Sequence, residues 1–224
     1  MSVEIYNANC MELMNTLDDN SVDLFITDPP YKTTARGNSG GTGGILKDKN
    51  FIKGNGGFKH NDLRISDYMP EVKRIMKEGA HGYIMCNDKN LSEFLSYLPI
   101  IGLNVFKTLI WAKDNCVTNM YYMSSHEYII FFRKGKAKKI NECGTRSVLN
   151  IKNVRNKLHP SQKPIELMEV LIKNSSLEGD TIFDPFMGVG SAGIACVNLK
   201  RNFVGFEIDE SYFQIAHGRL KEQE

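Results

Sequence analysis

The first residues able to do chemistry are Asp28-Pro29-Pro30-Tyr31, which come directly after the apolar run Val22–Thr27. Two consecutive prolines make a stiff turn, which fixes the direction of the Asp28 carboxylate. That carboxylate can accept a hydrogen bond from an exocyclic amine, and the ring of Tyr31 offers a flat face on which a nucleobase stacks. The same residues are also typical of an ordinary turn at the end of a strand, so this motif alone leaves both interpretations open.

A second motif runs from Phe183 to Gly193 and has the sequence FDPFMGVGSAG. Glycines at 188 and 190 let a ligand approach the backbone where a β-carbon would block it. Glu207 ends the next predicted strand, 17 residues after Gly190, where an acidic side chain binds ribose hydroxyls. The spacing F-x-G-x-G lacks the lysine of a phosphate-binding P-loop, but it leaves a dinucleotide-binding fold open.

Two further groups of residues lie between these motifs. The segment His159-Pro160-Ser161-Gln162-Lys163-Pro164 leads into a predicted amphipathic helix, and Pro164 suits a first helical position. Trp111-Ala112-Lys113 and His126-Glu127 lie on two predicted strands. The single tryptophan is interpreted as a core residue without a chemical role.

These motifs must be positioned by secondary structure, and the chain alternates short apolar runs with helical patterns. This alternation predicts a mostly parallel sheet with helices on both faces. The predicted strands are Val3–Tyr6, Val22–Thr27, Gly82–Cys86, Phe106–Ala112, Glu127–Phe132, Thr181–Phe183 and Phe203–Glu207. The predicted helices are Cys10–Leu17, Tyr68–Lys77, Leu91–Leu98, Pro164–Asn174, Ser191–Leu199 and Ser211–Lys221. The fourth and fifth strands follow each other without a helix, which predicts a hairpin and one antiparallel strand.

Composition and length narrow the class of protein. The 224 residues are 42% hydrophobic and 24% charged, which excludes disorder of the whole chain and favours one domain over residues 1–224. No apolar run is long enough to span a membrane, and the first residues do not resemble a signal peptide. Five scattered cysteines form no C-x-x-C pair, so we expect a cytoplasmic protein without a metal.

The charge is unevenly distributed along the chain, although the net charge is only +2. Residues 32–64 carry seven Lys and Arg against two Asp, and they contain eight of the 19 glycines. Residues 133–163 carry ten Lys and Arg against one Glu. We interpret 32–64 as a long mobile loop and 135–158 as a short basic insertion, and together they predict a polyanion-binding face. Solvated loops are the simpler alternative.

In this order, DPPY, W-x-K, H-E, HPSQKP and F-x-G-x-G resemble the β class of amino-group DNA methyltransferases, over about residues 3–220. In that class the catalytic motif precedes the motif that binds S-adenosylmethionine, with target recognition between them. The resemblance implies a Rossmann-like seven-stranded sheet in this permuted order, and methyl transfer to the N6 amine of adenine in DNA after base flipping. Asp before Pro-Pro-Tyr, rather than Ser, favours adenine over cytosine N4.

The resemblance also implies roles for individual residues. It makes Asp28, Pro29, Pro30 and Tyr31 catalytic. It assigns S-adenosylmethionine to Ala8, Asn9, Asp28, His159, Ser161, Phe186, Gly188, Gly190, Ser191 and Glu207, with no metal. DNA is the implied partner, and we expect phosphate contacts from Lys47, Lys49, Lys53, Lys136, Lys138, Lys139 and Arg155.

The sequence departs from the family at Asn9, where an acid is frequent, and at Val189 and Ser191, where the family often has Ser and Thr. The region between Glu127 and His159 is short for target recognition. A cytosine-N4 enzyme, a nicotinamide dehydrogenase and a silent DNA-binding subunit therefore stay open as alternatives. A homodimer and a restriction endonuclease stay open as partners, and restriction-modification as the biological setting.

Overall fold

The computed structural model describes residues 1–30, 63–117 and 120–223. Its strands are β1 Val3–Asn7, β2 Val22–Thr27, β3 Met76–Cys86, β4 Leu103–Val117, β5 Ser124–Lys134, β6 Val148–Asn150, β7 Thr181–Asp184 and β8 Asn202–Glu207. The described strands form one sheet in the order β1-β8-β7-β2-β3-β5-β4-β6. Five adjacent strands run parallel, from β1 to β3, and β5 runs antiparallel to both β3 and β4.

Helices cover both faces of this sheet. They are α1 Cys10–Leu13, α2 Ile65–Ile75, α3 Asp88–Ile100, α4 Ile165–Ser175, α5 Ser191–Asn198 and α6 Glu210–Lys221. One buried cluster joins α2 and α3 to the sheet, and a second joins α4, α5 and α6 to the opposite face. Because both faces are covered, β2 is a nearly continuous apolar run, VDLFIT, in which every residue except the half-buried Asp23 is buried.

The predicted α/β fold and the hairpin are confirmed. Strand β5 pairs with β4 from Leu103 opposite Lys134 to Val117 opposite Ser124, which makes the hairpin longer than predicted. The sheet has an eighth strand that the sequence analysis missed, β6, which lies parallel to β4. Trp111 is a core residue, 1% exposed, and its Nε1 donates to the Ile151 carbonyl over 2.8 Å.

The strand order contains one point where the chain direction across the sheet reverses. From β7 the chain passes through α5 to β8 on one side, whereas β3 lies on the other side of β2. The sheet therefore has its topological switch point between the carboxyl ends of β7 and β2. In open α/β sheets, ligands bind in the crevice at such a point.

Candidate active site

The predicted site segments lie side by side along the carboxyl edge of the sheet. In sheet order, Ala8 and Asn9 follow β1, Glu207 ends β8, Gly188 follows β7, and Asp28 follows β2. Strands β7 and β2 flank the crevice. The fold thus brings Asp28 and Gly188, which are 160 residues apart in the sequence, to the same edge of the sheet.

The turn between β7 and α5 has two glycines with different roles. Gly190 has φ +78°, and a Cβ there would lie 3.2 Å from the Cβ of Ala216, so a larger residue would strain the backbone and press against α6. Gly188 has φ +53°, and a Cβ there would meet nothing within 4 Å. Gly188 therefore leaves open space beside the backbone, as a closely approaching ligand needs.

Asp184 joins this turn to β2. Its Oδ1 accepts hydrogen bonds from Thr27 Oγ1 over 2.7 Å and from the Phe186 backbone N over 3.0 Å. Burial raises the pKa of Asp184 to about 7, against those two hydrogen bonds, which lower it. The sequence analysis quoted Asp184 within its motif but gave it no role; its position at the carboxyl end of a strand was the available signal.

Glu207 is oriented by the backbone around it. Its Oε2 accepts from Gly188 N over 2.9 Å, and its Oε1 accepts from Asp209 N over 2.8 Å. Burial raises the pKa of Glu207, and the hydrogen bonds from Asp209 and Gly188 oppose that effect. Each carboxylate oxygen has a second lone pair, so the group can still accept hydroxyl donors. Ala8 adjoins it, because Ala8 N donates to the Glu207 carbonyl over 3.0 Å.

Asn9, Phe186 and Ser191, which are also predicted to bind the cofactor, have different surroundings. Asn9 caps α1, because its side-chain oxygen accepts from Met11 N over 3.0 Å. Phe186 is half-buried, with its ring edge-on to Tyr68 at 5.1 Å between centroids. Ser191 begins α5, and its Oγ is buried without a hydrogen-bond partner among the described residues. Of the three, the Ser191 hydroxyl is the most informative about a ligand, because buried hydroxyls usually have a hydrogen-bond partner.

His159 and Ser161 contact each other next to α6. Ser161 Oγ lies 2.9 Å from His159 Nδ1, and the His159 ring packs edge-on against Tyr212 at 4.2 Å. Burial, assisted by the nearby charges of Lys163 and Lys157, lowers the pKa of His159 to about 4. His159 is therefore a neutral imidazole at neutral pH, with Nδ1 facing the serine hydroxyl.

The structure adds a buried ionic network that the sequence analysis missed. Lys163, 4% exposed, forms an ion pair with Asp28 Oδ2, and its Nζ also lies 3.3 Å from Glu127 Oε2. Glu127 Oε1 pairs with Lys113, whose Nζ lies 4.9 Å from the centre of the Trp111 ring. The sequence analysis noted the motifs W-x-K, H-E and HPSQKP, which contain these residues, but nothing in their spacing predicted that they contact one another.

Charge in this network is set by burial and by the neighbouring groups. Burial raises the pKa of Asp28, Lys163 opposes this, and Glu127 adds to it. For Glu127, burial is outweighed by Lys163 and Lys113, which lower its pKa to about 2. The pKa of Lys163 is raised, since Asp28 and Glu127 outweigh its burial. Lys163 is thus a cation and Glu127 an anion at neutral pH, while Asp28 Oδ1 is buried without a hydrogen-bond partner among the described residues.

The basic segment 135–158 is divided between the two edges of the sheet. Because β5 is antiparallel, the residues after it start at the amino edge, where Lys136 N donates to Glu78 near the start of β3. Strand β6 then returns towards the carboxyl edge, where Arg155 pairs with Asp114. Lys136, Lys138 and Lys139 follow β5 and precede β6, so their predicted phosphate contacts would lie away from a base held at Asp28.

Part of the predicted site lies outside the described residues. This applies to Tyr31, to the loop 32–64 except its last two residues, and to Lys47, Lys49 and Lys53. Within the described ranges, no group of three or more His, Cys, Asp or Glu side chains is placed to hold a metal ion. None of the helices described here has the length and apolar character needed to cross a membrane.

Together, the fold and this site place a glycine turn and Glu207 beside the buried carboxylate of Asp28 at the switch point of an α/β sheet, an arrangement typical of enzymes that bind nucleosides. Comparison with known proteins identifies the family: residues 22–218 match the N6_N4_Mtase family, described as DNA methylase, and the chain belongs to it. The nicotinamide dehydrogenase alternative is therefore wrong.

Individual relatives agree with this assignment. The type II methyltransferase M2.MboI of Moraxella bovis is 28% identical over 97% of this chain and 87% of its own length. The crystal structure of the M1.HpyAVI–SAM complex superposes with a TM-score of 0.74 at 26% identity, and it covers 97% of this chain and 100% of that one. The cytosine-N4-specific PvuII DNA methyltransferase has a TM-score of 0.76 at 15% identity, with 98% and 86% covered, and supports the fold alone.

Proposed function

We propose that this DNA methylase transfers a methyl group from S-adenosylmethionine to the exocyclic N6 amine of adenine in DNA. The observation that carries the proposal is Asp28 at the carboxyl end of β2. It lies at the crevice, and its buried Oδ1 has no hydrogen-bond partner among the described residues. An anionic acceptor at this position suits an amine substrate.

The residues beside Asp28 fit S-adenosylmethionine. Gly188 leaves open space at the backbone, and Ser191 has a buried hydroxyl without a partner among the described residues. Glu207 is oriented to accept ribose hydroxyls. We assign the cofactor to these residues together with Ala8, Asn9, Asp28, His159, Ser161, Phe186 and Gly190. When bound, it supplies a methyl group on a sulfonium centre.

Asp28 would act on the amine that accepts this methyl group. The lone pair of an aromatic amine is delocalised into the ring, which makes it a poor nucleophile. Hydrogen bonds from the amine to Asp28 Oδ1 and to the Pro29 carbonyl favour a pyramidal nitrogen and stabilise the positive charge that develops on it. The proton that this nitrogen loses as the methyl group is added would pass to Asp28 Oδ1. Pro29 and Pro30 hold both acceptors in place through their restricted backbone. No covalent enzyme intermediate is required, and Cys10 and Cys196 are buried thiols.

A base inside a duplex does not reach this crevice, so the target must be turned out of the stack, at a cost of a few kcal/mol. From the sequence we expect Tyr31, two residues after Pro29, to stack on the extruded base. Such stacking contributes about 1–3 kcal/mol per base and recovers part of that cost.

Two surface features support a polymeric substrate at this edge. Strand β4 runs in the same direction as β3, so the tip of the β4–β5 hairpin lies at the carboxyl edge with Asp28. At the tip, Met120, Tyr121 and Tyr122 are more than four-fifths exposed, which is unusual for large apolar side chains. Lys152 and Arg155 lie beside Asp114, close to the tip of the same hairpin, and would contact phosphates.

The test is methyl transfer from labelled S-adenosylmethionine to unmethylated plasmid DNA, followed by mass spectrometry of the nucleosides. N6-methyladenine supports the proposal. N4-methylcytosine would keep the role of Asp28 but change the base. Binding of the cofactor without transfer would favour a silent DNA-binding subunit, and absence of cofactor binding would refute the assignment of the crevice.

The remaining predictions concern the cellular setting. We expect action on DNA in the cytoplasm, within a restriction-modification system. The homodimer and the restriction endonuclease partner stay predictions. A pull-down of the chain with its genomic neighbours, and its mass in solution, test them directly.

A further inference from the structure

The buried network around Asp28 is a chain of alternating negative and positive side chains. It contains two carboxylates, Asp28 and Glu127, and two ammonium groups, Lys163 and Lys113. These residues come from four places: the end of β2, strand β5, strand β4, and the segment before α4. Lys163 thus contacts the carboxylate that the proposed function uses, Glu127 contacts Lys163, and Lys113 contacts Glu127.

The contacts of Lys163 leave Asp28 with one available oxygen. Its Nζ donates hydrogen bonds to Asp28 Oδ2 and, over 3.2 Å, to the Ser161 carbonyl, and it lies 3.3 Å from Glu127 Oε2 as an ion-pair contact that is not a hydrogen bond. An ammonium group with two acceptors and an adjacent anion is directed towards these three groups. Asp28 Oδ2 is therefore occupied, whereas Oδ1 is buried and has no hydrogen-bond partner among the described residues.

We propose that Lys163 and Glu127 are positioning residues for methyl transfer: Lys163 holds Asp28 Oδ2 so that Oδ1 alone faces the substrate amine, and Glu127, anchored by Lys113, holds Lys163. This inference rests on the proposed function of Asp28. Neither residue contacts the substrate in this arrangement. Lys163 favours the ionised form of Asp28 and fixes the direction of its free oxygen, and Glu127 contributes by holding Lys163 in place.

The two positioning residues have opposite electrostatic effects on Asp28. The cation of Lys163 lowers the pKa of Asp28, and the anion of Glu127 raises it. Other titratable groups also act near Asp28. They are Lys113 on β4, Asp184 on β7, Lys157 before α4 and the Cys86 thiol on β3.

This opposition predicts a signature in the pH dependence that a purely structural role would not produce. Only ionised Asp28 accepts the amine, so its pKa sets the acid limb of kcat/KM. Loss of the Lys163 charge in Lys163→Met should move that limb to higher pH by about 1–3 units, the usual effect of one adjacent opposite charge. Loss of the Glu127 charge in Glu127→Gln should move it to lower pH.

The experiment measures kcat/KM for methyl transfer to plasmid DNA between pH 5 and 9.5. The variants are Lys163→Met, Lys163→Arg and Glu127→Gln, with Lys173→Met as the matched control. Lys173 lies on α4 but pairs at the surface with Glu142, so its removal should leave the profile of the wild type. At pH 6.5 we expect Lys163→Met to lose at least tenfold in kcat/KM, and Lys163→Arg to recover most of it.

Melting temperature and cofactor affinity are measured for each variant, to separate folding from positioning. Opposite shifts of the acid limb in Lys163→Met and Glu127→Gln support the inference. An unmoved limb in either variant, or shifts in the same direction, overturns it. If Lys163→Met does not fold, the inference is tested with Glu127→Gln and Lys163→Arg. An acid limb of kcat/KM that Glu127→Gln leaves unmoved is then sufficient to refute the inference. A wild type that methylates no DNA amine refutes the proposed function itself, before any variant is compared.

Discussion

The cofactor assignment is tested most sharply by adding one methyl group at each glycine of the β7–α5 turn. Gly188 and Gly190 both have positive φ, so alanine at either position costs about 1–2 kcal/mol of folding free energy. For a chain of this length, each kcal/mol lowers the melting temperature by roughly 2–4 °C. The two sites differ in their surroundings, because a Cβ at 190 lies 3.2 Å from Ala216 Cβ and a Cβ at 188 meets nothing within 4 Å.

These surroundings predict opposite patterns of damage. Gly190→Ala should lower the melting temperature more, since α6 must move to make room. Gly188→Ala should lower it less but weaken S-adenosylmethionine binding at least tenfold, about 1.4 kcal/mol, because its Cβ occupies the open space assigned to the ligand. Thermal unfolding and titration calorimetry measure both quantities on the same samples. Wild-type cofactor affinity in Gly188→Ala would refute the assignment of this turn.

Three further outcomes are expected. Asp28→Ala should abolish methyl transfer and leave S-adenosylmethionine binding within a few-fold of wild type, as measured by transfer and calorimetry; retained turnover would contradict the role of its carboxylate. Tyr31→Ala should lower kcat/KM more than Tyr31→Phe, by up to about 1–3 kcal/mol in transition-state free energy, whereas equal losses would argue against stacking. Replacement of Lys152 and Arg155 by Gln should reduce the slope of log DNA affinity against log salt by about 0.9 for each lost phosphate contact. The same change at Lys136 and Lys138, on the opposite edge of the sheet, should leave this slope unaltered.

Much of the fold was predictable because its signals are local. The run Val22–Thr27 has the same bounds in the sequence prediction and in the structure, since a strand covered on both faces must be apolar throughout. Helices α3 and α6 begin earlier than predicted, because Asn87 and Asp209 cap them: the side chains of these residues accept hydrogen bonds from the first backbone N–H groups. Strand β6 was missed because three residues carry too little periodicity to be recognised.

The candidate site was predictable where its residues end strands. Asp28, Gly188 and Glu207 each follow or end an apolar run, and parallel strands bring their carboxyl ends to one edge whatever the length of chain between them. The direction of the basic segment was not predictable, because it depends on β5 being antiparallel. Lys136 and Arg155 belong to one charged stretch of sequence, yet the fold separates them to opposite edges.

The amino-acid sequence by itself determined the order of the motifs, the α/β class and the family resemblance, because these depend on residue types at short spacing. Only the tertiary structure decided that Lys163 lies against Asp28, 135 residues away, and that Glu127 lies between the two lysines. Such contacts depend on side-chain positions from four elements at once. Burial then determines their charge, since the same groups in water would neither pair as strongly nor shift one another's pKa.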